Sequence, residues 1–99
     1  MKPGAVLINV SRGPVVDTPA LIAALRVGKL GGAALDVHDR QPLAPTEPVF
    51  EAPNLLLTPH IAGITDNSLR AMSQGSVDTL LALLRGERPT NIVNPEALP

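Results

Sequence analysis

Cysteine is missing from these 99 residues, which excludes disulfides and thiolate chemistry. Aromatic residues are reduced to Phe50, so the core has to be assembled from Leu, Val, Ile and Ala. Without aromatic platforms, binding by stacking on nucleic-acid bases is excluded. Charge of one sign is lacking too. Eight basic against nine acidic residues give a net charge of −1, and the basic ones are scattered. Neither a nucleic acid nor a membrane is therefore an expected partner. No apolar run approaches the roughly 18 residues that cross a bilayer. Met1-Lys2-Pro3-Gly4 runs straight into a strand and lacks the marks of a signal peptide. A soluble, cytoplasmic chain is expected.

What remains is a globular composition, 44% apolar and 17% charged. Ala5–Val10 (AVLINV) is a continuous apolar run between Pro3-Gly4 and Ser11-Arg12-Gly13, which suits a strand buried on both faces of a parallel sheet. Asp17 then offers a helix cap with Pro19 in the first turn, Leu21, Ile22 and Leu25 form an apolar stripe, and Gly28 supplies a left-handed stop. Gly31-Gly32 leads into a second strand, Ala33–Val37, small residues there letting the preceding helix pack closely. Four prolines (Pro42, Pro45, Pro48, Pro53) predict an extended loop over Asp39–Pro53. Leu55–Leu57 is a third strand.

The longest element follows, capped by Thr65 or Asp66, with Leu69, Met72, Ser76/Val77, Leu80, Leu81 and Leu84 at helical spacing. Gly86 ends it, and residues 87–99 form an extended tail. The order β-α-β-loop-β-α, with connections too long for hairpins, means a parallel sheet of α/β class, part of a doubly wound, Rossmann-like fold. Three strands leave both edges and one face open, so the chain reads as the C-terminal part of a larger doubly wound domain.

Three strand ends carry chemistry: INVSRG with Arg12, AALDV with Asp36, and LLLTPHIAG with His60. An open α/β sheet binds ligands outside the carboxyl ends of its strands. A guanidinium can grip a carboxylate with two parallel hydrogen bonds, and an imidazole moves protons near neutral pH. His38 reads as a surface residue. With His60 it lacks a third ligand, so no metal site is expected. Neither Ser11 nor Ser68 has a partner base.

MKPGAVLINVSRGPVVD, GKLGGAALDV and LLLTPHIAG together resemble the D-isomer-specific 2-hydroxyacid dehydrogenases, over essentially the whole chain. The resemblance implies an NAD (or NADP) oxidoreductase acting on a small 2-hydroxy or 2-oxo acid, dimeric when full-length. It implies that Arg12 binds the substrate carboxylate and carbonyl, that Asp36 holds the nicotinamide carboxamide, and that His60 is the general acid/base. Main chain at Val10, Ser11 and Arg12, and at His60, Ile61, Ala62 and Gly63, would line the nicotinamide pocket. Two departures stand out. No G-x-G-x-x-G phosphate loop occurs in the chain and no substrate domain is present, so these residues alone are expected to be inactive. The family's histidine-orienting glutamate falls at Gln41, which places Gln41 among the catalytic candidates beside the offset Asp39 and Glu47. The formate dehydrogenase branch resembles the chain in carrying glutamine there. A formate-dehydrogenase-like member, and an inactive truncated or nucleotide-sensing module, are the rival readings.

Overall fold

The computed structural model describes residues 1–97. Its elements form two compact units, Met1–Ala62 and Gly63–Pro99.

The first unit holds three parallel strands in the order β1 (Val6–Asn9), β2 (Gly32–Leu35), β3 (Leu55–Leu57), with helix α1 (Thr18–Arg26) between the first two. Asp17 caps α1 by accepting from the Ala20 N–H at 3.0 Å. Gly28, at φ 68°, stops it in a Schellman motif: Lys29 N donates to Ala24 O and Gly28 N to Leu25 O. The stripe read from the sequence becomes the core. Leu21, Ile22 and Leu25 pack with Leu30, Ala33, Leu35 and Val49, and burying each large side chain stabilises the fold by about 2 kcal/mol.

Register sorts the strand residues onto two faces. Leu7, Ala33 and Leu55 lie level, as do Asn9, Leu35 and Leu57, and this set turns toward α1. Ile8, Ala34 and Leu56 form the opposite row. Val6, Ile8 and Leu56 are more than 60% exposed, so β1 is covered on one face and not on both as its apolar run suggested. An unbroken apolar run reports that both faces are apolar, not that both are covered.

Three further expectations need correction. The proline-rich segment is not wholly extended: Pro48–Glu51 makes a 3-10 turn with proline at its start, and this turn delivers Val49 to the core. Gly31 and Gly32 admit neighbouring strand entries rather than the helix. A Cβ on Gly31 would stand 2.5 Å from Gly4 O, and one on Gly32 would stand 3.2 Å from Asn54 O. The tail also turns, at Pro95–Ala97, and Arg88 Nη2 reaches Pro95 O at 3.2 Å. The expected tail's last two residues, 98 and 99, lie outside the described residues.

The second unit is built on α2 (Asp66–Leu84). Thr65 and Ser68 form a capping box, each hydroxyl accepting from the other's main-chain N–H. Gly86, at φ 73°, closes the helix in a second Schellman motif, with Glu87 N to Ala82 O and Gly86 N to Leu83 O. None of its residues is buried, and Leu80 and Leu84 are among those exposed. Among the described residues, no helix is long and apolar enough to cross a membrane.

Candidate functional site

Because the strands are parallel and in register, their carboxyl ends share one edge of the sheet. Arg12 lies three residues beyond Asn9, Asp36 one beyond Leu35, and His60 three beyond Leu57. β1 and β3 flank β2, so the loops bearing Arg12 and His60 leave the sheet about 10 Å apart, twice the usual strand spacing. Asp36 stands between them.

The loop after β1 is organised by Asn9, a buried polar residue that the sequence reading did not single out. Its Nδ2 donates to Arg12 O at 2.9 Å, and its Oδ1 accepts from Ser11 N and Ser11 Oγ. A polar residue ending an apolar run just before a turn was the available signal, since asparagine readily bonds main chain two or three residues on. Arg12 itself is exposed, in extended backbone, with Nη1 donating to Ser11 O at 2.7 Å. Gly13 follows it into a 3-10 turn and passes so close to the main chain of His38 and Asp39 that no Cβ fits. The loops after β1 and β2 are thereby locked together.

Asp36 is 4% exposed, and its main chain donates to Asn9 O. Its carboxylate accepts three hydrogen bonds, all from the loop after β3. Thr58 Oγ1 and Ile61 N (2.9 Å) donate to Oδ1, and Ala62 N (2.8 Å) donates to Oδ2. The Thr58 hydroxyl does most to hold the Asp36 carboxyl below the ordinary aspartate value. Burial opposes it, while the Ala62 and Ile61 N–H groups and the His60 imidazole add to the lowering.

His60 sits between those anchors at φ 59°, in the left-handed region that non-glycine residues seldom adopt. Its ring is exposed, and Nδ1 lies 3.0 Å from Gln41 Oε1, so the tautomer protonated on Nδ1 donates to the amide oxygen. The other ring nitrogen, Nε2, remains for a ligand. Asp39 accepts from Thr18 Oγ1 at 3.2 Å, in a contact with α1. His38 is half-buried, contrary to the surface position expected, because its Nε2 reaches Thr58 O at 3.2 Å. A cavity of about 530 Å³ runs beside Gln41, between Phe50, Leu57 and Pro59.

Val10 is 60% exposed and Ile61 is 47% exposed, so apolar surface flanks the polar groups at this edge. Gly63 opens the second unit, where its carbonyl accepts from Ser68 Oγ at 2.6 Å. The site built by the first unit ends at Ala62. Among the described residues no three His, Asp or Glu side chains gather as metal ligands.

Residues 1–62 match the family model described as the D-isomer specific 2-hydroxyacid dehydrogenase NAD binding domain. Over 98 residues the chain is 47% identical to the glyoxylate reductase of Thermofilum pendens, covering 99% of this chain and 29% of that protein. A solved protein of Thermus thermophilus superposes with a TM-score of 0.86 at 47% identity, covering 94% of this chain and 30% of the other. The NADPH-dependent glyoxylate/hydroxypyruvate reductase of Sinorhizobium meliloti, solved with NADP and malonate, gives a TM-score of 0.72 at 44% identity, with 83% and 25% covered. The chain thus spans about 30% of the length of the curated relatives it matches.

Proposed function

The chain belongs to the D-isomer-specific 2-hydroxyacid dehydrogenases, through their NAD-binding domain, and on that premise we propose that it forms the catalytic edge of an NAD- or NADP-dependent reductase of small 2-oxo acids. Glyoxylate and hydroxypyruvate are the substrates of choice, because the similar proteins carry those names. The observation that carries the reading is the pairing of His60 with Gln41 at the sheet edge that also presents Arg12. When bound, the dinucleotide supplies a hydride for the carbonyl carbon.

The chain's own residues do the rest. Arg12, its main chain held by Asn9, grips the substrate carboxylate through its guanidinium and draws density from the adjacent carbonyl. His60 gives a proton from Nε2 to the carbonyl oxygen as charge develops there, while Gln41 Oε1 keeps the ring turned by accepting from Nδ1. In the reverse direction neutral His60 takes the hydroxyl proton. Asp36 remains ionised, and its Oδ2, with one donor already placed, has room for the carboxamide of the nicotinamide. Main chain at Val10, Ser11 and Arg12, and at His60, Ile61 and Ala62, would line that ring. Full-length copies associating as a homodimer, in the cytoplasm, complete the proposal.

The test is a spliced enzyme in which residues 1–99 replace the matching segment of the Thermofilum pendens reductase. Oxidation of NADH or NADPH driven by glyoxylate or hydroxypyruvate, lost in His60→Ala, is the expected result. A folded splice that binds the dinucleotide yet reduces neither acid overturns the reading. Glutamine rather than glutamate beside His60 favours one alternative, formate oxidation, which needs no proton transfer; turnover of formate by the same splice would establish it.

A further inference from the structure

Asp36 is a buried carboxylate whose three hydrogen bonds all serve the five residues Thr58–Ala62. Both N–H groups that follow His60 end on it, and so does the hydroxyl two residues before. His60, at φ 59°, is held in a backbone conformation that an unanchored loop would relax toward negative φ. The Thr58 N–H donates to Leu35 O and so ties the start of the loop to the end of β2. Beyond that point the carboxylate takes over from the sheet as the acceptor of the loop's main-chain donors.

We propose that Asp36 is the positioning residue for His60: through the main chain of Thr58–Ala62 it fixes where the imidazole stands beside Gln41, independently of any contact with the cofactor. A carboxylate is required because all three incoming groups are donors. Asparagine has one acceptor oxygen, and its NH₂ would turn against either the Ala62 N–H or the Ile61 N–H, neither of which can accept. The low pKa of Asp36 follows from the same donors and keeps it an acceptor over the working pH range. This assignment deepens the proposed function, but its structural half stands without it.

Asp36→Asn and Thr58→Val are compared with the parent in two settings. In the 15N-labelled 99-residue chain, the readouts are hydrogen exchange at Ile61 and Ala62 and the Nδ1 resonance of His60. In the spliced reductase, the readout is the split between kcat and KM. Exchange at both amides is expected to rise about tenfold or more in Asp36→Asn, with the His60 Nδ1 signal moving away from its Gln41-bonded position. kcat is expected to fall at least about tenfold, over and above any rise in KM for the dinucleotide that follows from disturbing its carboxamide contact. Thr58→Val should move the same readouts in the same direction by less. Unchanged exchange and an unmoved His60 signal in a folded Asp36→Asn chain overturn the proposal, as does a loss confined to the dinucleotide KM. If Asp36→Asn loses protection throughout the sheet, Thr58→Val decides by the same criteria. An inactive parent splice would defeat the proposed function alone, since the exchange and imidazole readouts would still judge Asp36.

Discussion

At the scale of single residues, the sheet edge separates groups that grip from groups that hold. Asn9 anchors the main chain of Arg12, and the exposed guanidinium, with only Nη1 engaged by Ser11 O, keeps donors for the carboxylate proposed above. In the spliced reductase Arg12→Lys should cut kcat/KM by about a hundredfold, since lysine keeps the charge but cannot make two parallel hydrogen bonds to a carboxylate. Steady-state rates with glyoxylate check this, and near-parent turnover would remove Arg12 from the site. Gln41 gives a second handle. Its amide oxygen orients His60 without adding charge, whereas a carboxylate at the same 3.0 Å would favour the imidazolium. Gln41→Glu should therefore move the alkaline limb of the reduction profile upward. Superimposable kcat/KM profiles would mean that the contact does not persist in the working enzyme. Asp36 carries a pH dependence of its own. Its folded pKa lies below the ordinary 3.8, so its contribution to stability is present above that value and is lost as pH falls through the lower folded one. Asp36→Asn should thus flatten the fall in urea midpoint below about pH 4. An equally steep fall in the variant would mean that other carboxylates govern acid unfolding.

At the scale of elements, the sequence signals that held were the ones written in local backbone chemistry. Asp17, Thr65, Gly28 and Gly86 act within a turn of their own position, and both helices begin and end where those residues put them. The faces of the strands were less legible, because an apolar side chain looks the same whether or not a neighbour covers it. Close approach was invisible as well. Gly13 reads as part of a turn, yet its missing side chain is what lets the loops after β1 and β2 meet. A Cβ there would lie 2.5 Å from Asp39 N and closer still to the His38 carbonyl. Gly13→Ala should cost about 3 kcal/mol and loosen both loops, because the obstruction is main chain and cannot swing aside. Chemical denaturation of the variant measures the loss. A change under about 0.5 kcal/mol would show that the two loops separate easily.

At the scale of the whole molecule, the chain presents reactive groups without the element that normally grips a dinucleotide pyrophosphate. That grip comes from main-chain N–H groups at a glycine-rich helix N-terminus, and no G-x-G-x-x-G occurs in these 99 residues. Calorimetry on the 99-residue chain should give a Kd for NAD weaker than about 1 mM, above about −4 kcal/mol of binding free energy. Micromolar affinity would mean that the three strand ends bind the cofactor without a phosphate cradle.

The sequence by itself determined the class of fold, the order of its elements and the three loops that carry Arg12, Asp36 and His60, because helix caps, strand runs and turn residues act over a few neighbouring positions. The match of residues 1–62 to the family model agrees with that reading. Tertiary structure alone decided how those loops are held. The three donors converging on Asp36 and the half-burial of His38 against Thr58 depend on three parallel strands ending level with one another. Groups 20 to 26 positions apart meet there because of register, which no local pattern encodes.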